Sequence, residues 1–469
     1  MESPKFSGAF IAAGPTDWQI IQRGPDGTGK LTVSGRYWSE IPGAVEVKLA
    51  RESDGAPVRQ QLDWQVATQC RDNVWEHTLT GIPAGGLYRL ETRIKALSGD
   101  PWRLTGEKIH FLAVGDIWVI AGQSNAVGYG HGPVDDGPEP GVHLFGMNNR
   151  WRLASHPLFD PTDTKHAANR DGGWTEHSPW LSFAKKIHRT TGIPIGLIPC
   201  ALGGSSLAMW NTDEDGFLYR NMMEHIAAAG NHVAGMLWYQ GCSDASVEGA
   251  STYEERFGKF IRRWRADLGS EYLPVITVQL NRICGQAEDR PADTGWGLLR
   301  EAQRVIPSRL PLTAVVPTTD LPLSDLIHLS ASANIILGAR TARAALRIKY
   351  GESSSFDAAQ PERALLSPDG TKIILTFRDV NDFLAPIHFP WPATTPSCPV
   401  GDFTVEDETG EVPQATTDFP RPDQIVIGLK RPAVGKTVIH ANWTRDPQPS
   451  LRDGLQIPIF SFHGFAVER

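Results

Sequence analysis

The sequence predicts an α/β domain on a doubly wound, parallel five-stranded sheet, set between two β-domains. Two observations carry this. From Asp116 onward, short apolar runs alternate with amphipathic stretches of helical period, the pattern of βαβ units. Before that point and after Tyr350, apolar and polar residues alternate in short runs bounded by Gly, Pro and Asp turn signals, the pattern of half-buried strands. The expected division is 1–112, 113–350 and 351–469, since 469 residues exceed what one hydrophobic core supports.

In the first part, Lys30–Ser34 and Val45–Leu49 read as strands, and Pro25-Asp26-Gly27 and Pro83-Ala84-Gly85-Gly86 as turns, which suggests a β-sandwich or jelly roll. The central strands expected are Ile117–Ala121, Ile195–Pro199, Ala234–Tyr239, Val275–Leu280 and Thr313–Val316. Between them lie expected helices at Ser182–Arg189, Leu218–Ala229, Tyr253–Leu268 and Gly297–Arg304, with a last one over Ala331–Lys349. Parallel strands joined by helical crossovers bury both faces of a sheet. Gly351–Ser355 reads as a linker, and strands return at Lys372–Phe377, Gln424–Leu429 and Thr437–His440.

Composition removes several classes of function. A net charge of -8 without a long basic cluster argues against a nucleic-acid partner. No apolar run approaches 18 residues, so no membrane-spanning helix is expected. The opening MESPKFSGAF lacks the basic and apolar regions of a signal peptide, which leaves the compartment open between cytoplasm and export. Cys70, Cys200, Cys242, Cys284 and Cys398 are dispersed, with neither a disulfide framework nor zinc spacing, and no metal or cofactor is expected. Gly128-Tyr129-Gly130-His131-Gly132 lacks the spacing of a dinucleotide fingerprint. Oligomeric state is not encoded in any pattern found.

The chemistry concentrates at strand ends. Ile117–Ala121 leads into Gly122-Gln123-Ser124-Asn125, which places a serine past the carboxyl end of a central parallel strand, where open α/β sheets bind ligands. The bland alternative is that Ser124 only caps a helix. A serine hydroxyl needs a base, and the base an orienting acid. Ser324-Asp325-Leu326-Ile327-His328 supplies both after the last strand, so Ser124, Asp325 and His328 form a candidate nucleophile, acid and base. Gly203 and Gly204 follow the second strand and Gln240 the third; with the Ser124 N–H they are candidate oxyanion donors.

These segments, Gly122-Gln123-Ser124-Asn125, Gly203-Gly204-Ser205, Trp238-Tyr239-Gln240-Gly241 and Asp325-Leu326-Ile327-His328, resemble in this order the SGNH hydrolases, specifically the sialate O-acetylesterases and their acetylxylan-esterase relatives. Asp17–Arg23 and Gly454–Phe460 resemble the family's opening and closing segments. The resemblance implies an SGNH-type fold and a serine esterase that removes acetyl groups from a carbohydrate, with O-acetylated sialic acid as substrate and acetylated xylan or pectin as the alternative. One departure stands out: relatives carry Glu after Gln-Gly, and this chain has Cys242. That leaves Asp325 as the acid, and Cys242 as a weak rival nucleophile. Trp210 and Trp238 are placed to wall a small acyl slot or to stack on a sugar, or else to fill the core. With 15 Trp and flanking β-domains, a carbohydrate-binding protein without catalysis is the non-enzyme alternative; a base aimed at a serine would have no use in it.

Overall fold

The computed structural model describes residues 7–40, 42–67, 69–71, 73–97, 102–166, 168, 175–353, 357–386 and 401–469. The Cys70 side chain, Cys398 and the Ser354–Ser355 end of the expected linker lie outside the described residues.

The central sheet contains β1 (Arg103–Gly122), β2 (Val142–Phe145), β3 (Trp151–Leu153), β4 (Ile195–Pro199), β5 (Gly235–Tyr239), β6 (Val275–Val278) and β7 (Thr313–Val316). Their order is β3-β2-β4-β1-β5-β6-β7. All neighbours pair parallel except β3, which forms an antiparallel edge with β2. The five expected strands are thus contiguous, and β2 extends them by one. It escapes a sequence reading because His143 interrupts a run of only four residues after a Gly/Pro-rich stretch.

From β1 the chain moves first to one side (β2, β4) and then to the other (β5, β6, β7), which makes the carboxyl end of β1 the topological switch point. Asp116–Ile120 pair with β4 and Trp118–Gly122 with β5, so Ile117–Ala121 are covered on both edges and both faces and are at most 1% exposed. That environment explains a continuous apolar run in place of alternation.

The helices are α1 (Ser124–Val127), α2 (Trp180–Thr191), α3 (Phe217–Ala228), α4 (Val247–Asp267), α5 (Arg290–Arg309) and α6 (Ala331–Tyr350). α2 packs on α6, and α4 on α5. Ser246, Asp289 and Ser330 cap α4, α5 and α6 with side-chain oxygens. α4 and α5 begin about a turn or more before their apolar period does, because the cap sets the start there. Among the described residues no helix is long and apolar enough to cross a membrane.

β1 also belongs to the N-terminal part. Its first half pairs antiparallel with Gly85–Ala96, which pairs with Gly43–Arg51. A second sheet of Gly8–Ala13, Thr28–Trp38, Val74–Pro83 and Gln69–Arg71 faces it. Leu31, Val33 and Trp75 from one sheet meet Val47, Leu90 and Ile94 from the other in one apolar cluster, which is a sandwich. The expected boundary at 112/113 therefore falls inside an unbroken strand. In the C-terminal part, Gln360–Leu366, Lys372–Arg378, Gln424–Leu429 and Gln414–Arg421 form one antiparallel sheet, and Phe403–Asp407, Thr437–Ala441 and Phe462–Val467 belong to another.

Buried polar groups join the parts. Asp116, 1% exposed, accepts Arg23 Nε and Nη2 (both 2.9 Å) and Gln22 Nε2 (3.0 Å). Arg300 of α5, fully buried, donates to the carbonyls of Leu280 (3.0 Å) on one side and of Asn442 (3.1 Å) and Thr444 (2.6 Å) on the other. Burial pushes its guanidinium down to about 9, still charged at neutral pH, and carbonyl dipoles take the place of a counter-ion. Removing one member of a half-buried pair leaves the other uncompensated, so Asp116→Ala is expected to cost about 2–3 kcal/mol. Urea denaturation should show the loss; an unchanged midpoint would show that the seam contributes nothing.

Candidate active site

Ser124 is the first residue of α1, immediately past β1, and is 8% exposed. The N-cap position belongs to Gln123, so the helix-cap reading of Ser124 does not hold. Its hydroxyl lies instead 2.9 Å from His328 Nε2. His328 Nδ1 lies 2.6 Å from Asp325 Oδ2. A carboxylate only accepts, so Nδ1 carries the ring proton and Nε2 is left to accept from the serine hydroxyl. Asp325 Oδ1 accepts the backbone N–H groups of Ile327 (2.8 Å) and His328 (2.7 Å), which fixes the carboxylate beneath the ring. Burial raises the Asp325 carboxyl, but these two bonds and the ring contact outweigh it and hold the group below its ordinary range. Tyr129 packs against the imidazole at 5.0 Å between ring centroids. The structure thus brings Ser124, Asp325 and His328 together in an arrangement able to deprotonate a serine.

The turn at Gly203-Gly204 sits beside the nucleophile strand. Leu202 N–H donates to Gly122 O (3.1 Å), as does Ser205 Oγ (3.1 Å), and Gly204 has a φ of +67° that favours glycine. Gln240 departs from its expected role. It is fully buried, and its amide donates to Ser205 O (3.1 Å) and Asp244 Oδ2 (2.6 Å) while its oxygen accepts from Tyr253 (3.0 Å). Both amide protons are spent on the protein, so Gln240 supports the Gly203–Ser205 turn and has no donor left for a ligand.

Trp210 and Trp238 also depart from expectation. Each is 0% exposed, they meet edge to face at 5.3 Å, and their ring N–H groups bond Ser205 Oγ (3.2 Å) and Tyr253 Oη (3.2 Å). They are core residues enclosed by protein on all sides. Cys242 is no rival nucleophile either: burial pushes its thiol up to about 12, and a thiol held protonated attacks poorly.

Several functional neighbours lay beyond the sequence reading. Asp244, two residues past Cys242, ties Gln240 and the Leu207 N–H (2.8 Å) to Arg256 (3.3 Å). Gln123 Oε1 accepts the Gly241 N–H (2.9 Å). Asn281, at the end of β6, reaches the catalytic segment through a bond from Nδ2 to Ile327 O. The strand-end rule could have flagged Asn281; nothing local flags Asp244.

One group among the described residues has metal-ligand composition: Asp136, His156 and His177, far apart in sequence. Asp136 Oδ2 accepts His156 Nε2 (3.1 Å), His177 Nε2 (3.0 Å) and Ser182 Oγ (2.9 Å), and Oδ1 accepts Lys185 Nζ (2.7 Å). Against the upward push of burial, these bonds hold its carboxyl far below the ordinary range. Both Nδ1 atoms are buried without a partner, whereas a metal-bound imidazole usually donates its second N–H. With Lys185 already balancing the charge, the group fits a saturated structural carboxylate.

Residues 114–347 match the family described as carbohydrate esterase, sialic acid-specific acetylesterase. A probable carbohydrate esterase of Arabidopsis thaliana is 29% identical over 253 residues, covering 49% of this chain and 90% of that protein. The crystal structure of a carbohydrate acetylesterase from Xanthomonas citri superposes with a TM-score of 0.66 at 23% identity, covering 95% of this chain and 97% of that one, a likeness of fold that includes the flanking β-parts. The α/β domain built around Ser124 belongs to the carbohydrate esterase family described as sialic acid-specific acetylesterases.

Proposed function

We propose that the chain hydrolyses O-acetyl esters of sialic acid through an acetyl-enzyme on Ser124. The observation that supports this most is the unbroken Asp325–His328–Ser124 line, with contacts of 2.6 and 2.9 Å. His328 Nε2 takes the hydroxyl proton as Ser124 Oγ bonds to the acetyl carbon. The same proton is then passed to the sugar oxygen as the ester bond breaks. Water, deprotonated by His328 in turn, attacks the acetyl carbon, and His328 returns that proton to Ser124 Oγ as the acyl bond breaks and acetate leaves. Asp325 stabilises the imidazolium in both halves. With Gln240 engaged elsewhere, the tetrahedral oxyanion is assigned to backbone N–H groups, those of Ser124 and of the Gly203–Gly204 turn.

The sugar is drawn from the family description, and acetylated xylan or pectin is the second reading, which the plain description of the Arabidopsis thaliana relative as a carbohydrate esterase leaves open. Comparing kcat/KM on O-acetylated sialosides, acetylxylan and acetylated pectin decides between them: a preference for the sialosides supports the proposal, and a preference for either polysaccharide overturns its substrate half.

Ser124→Ala should fold and lose acetyl-ester turnover by at least about 10³-fold. Near-normal turnover in the folded variant would remove the nucleophile from the account.

Asp325→Asn would present an amide in place of the carboxylate and destabilise the imidazolium, so turnover should fall by about 10²-fold or more. Cys242→Ala should leave turnover within about threefold of wild type, since its thiol takes no part. The opposite ranking on one substrate at one pH would assign the acid wrongly.

A further inference from the structure

We propose that Asn125, which follows the nucleophile, is the positioning residue that sets the distance between Ser124 and the catalytic histidine; the inference rests on the reading of Ser124 and His328 given above. The two catalytic groups come from opposite ends of the domain, and neither is held in place by the contact between them, since a neutral hydroxyl–imidazole bond is weak in net terms. The Asn125 side chain is 4% exposed and points across to the segment that carries His328. Its Nδ2 donates to Ile327 O (3.2 Å), and its Oδ1 accepts the Leu329 N–H (3.0 Å). The carboxamide thus grips the backbone on either side of His328, in the manner of a strand pairing with one residue between two bonds.

Few other side chains can do this. The clasp needs a donor and an acceptor on one short planar group. Asp lacks the donor, Ser is too short, and Gln would carry its amide one methylene further out than the two backbone groups that Asn125 reaches. The rest of the segment is braced from its other sides: Asn281 Nδ2 donates to the same Ile327 carbonyl, Cys284 N–H donates to Leu326 O (2.9 Å), and Ser324 N–H donates to His328 O (2.8 Å). Those bonds tie the segment to itself and to the chain after β6. Past α1, Tyr129 packs against the His328 ring and the His131 N–H donates to Ser324 Oγ (3.3 Å), but these contacts come from residues further along the chain. The Asn125 clasp instead starts from the residue next to Ser124 and holds the backbone on both sides of His328, so it bears most directly on the Ser124–His328 distance. Because Asn125 acts through His328, it should govern turnover more than substrate binding.

The test measures kcat, KM and thermal midpoint for Asn125→Ala and Asn125→Asp beside Ser124→Ala. Loosening the base by a fraction of an ångström to an ångström should lower kcat roughly 10- to 100-fold. KM should stay within about threefold, because groups that hold the sugar are untouched. The isosteric Asn125→Asp, which keeps the Leu329 acceptor and loses the Ile327 donor, carries the test if the alanine variant does not fold, and should show the same split with a smaller loss. Wild-type kcat in either folded variant, or a rise in KM with kcat unchanged, overturns the clasp. If Ser124→Ala retains turnover, the reading of the site itself fails instead.

Discussion

At Gly122 the central strand ends with a φ of +125°, and a Cβ there would lie 2.2 Å from the carbonyl oxygen of Tyr239. Only glycine fits, and the site is assembled around that fit. Because no side chain intervenes, Gln123 N–H reaches Tyr239 O (2.9 Å) and Leu202 N–H reaches Gly122 O, so the chains after β4 and β5 close in on both sides of the nucleophile turn. Ser124 is then presented at the switch point of the sheet with its hydroxyl clear of its own helix. A larger residue at Gly122 would separate β1 from β5 at the position where the next two residues must be placed to within a fraction of an ångström.

Around this turn the protein spends its polar groups on holding backbone. Gln123, Asn125, Gln240, Asp244 and Asn281 are buried in or near the site and bond the backbone of the turns around it or one another, with Asn281 Oδ1 buried without a partner among the described residues. Such groups are costly to bury unpaired and rigid once paired. The reactive line is short by comparison: one serine, one imidazole and one carboxylate whose free edge meets solvent. An exposed orienting acid is stabilised less by its surroundings than a buried one, and the two backbone N–H bonds to Asp325 Oδ1 compensate by fixing its direction.

How much of this the sequence discloses follows from what each feature depends on. The five core strands are visible because burial on two faces forces apolar runs, and Ser124, Asp325 and His328 are visible because their chemistry requires those residue types just past strand ends. β2 is hidden by the polar His143, whose ring is buried all the same and bonds Trp18 O (2.6 Å). The continuity of β1 across the expected boundary is hidden because the change from antiparallel to parallel partners leaves no mark on the strand itself. Gln240, Trp210 and Trp238 depart from expectation for one reason: adjacency to a motif in sequence does not show which way a side chain points, and the side chains of Trp210 after β4, Trp238 on β5 and Gln240 just past it all turn into the core against α4. The Asp136–His156–His177 group is the converse case, three residues with no shared spacing that the fold brings onto one carboxylate oxygen.

The central claim is that Ser124 is made nucleophilic by His328. A fluorophosphonate reacts covalently with an activated serine and with little else, so exposing the protein to one, following esterase activity and mapping the modified peptide tests that claim directly. The account predicts one equivalent of label on Ser124, with activity lost in step with labelling and labelling abolished in His328→Ala. Label on another residue with activity lost, or full activity with Ser124 labelled, would contradict it.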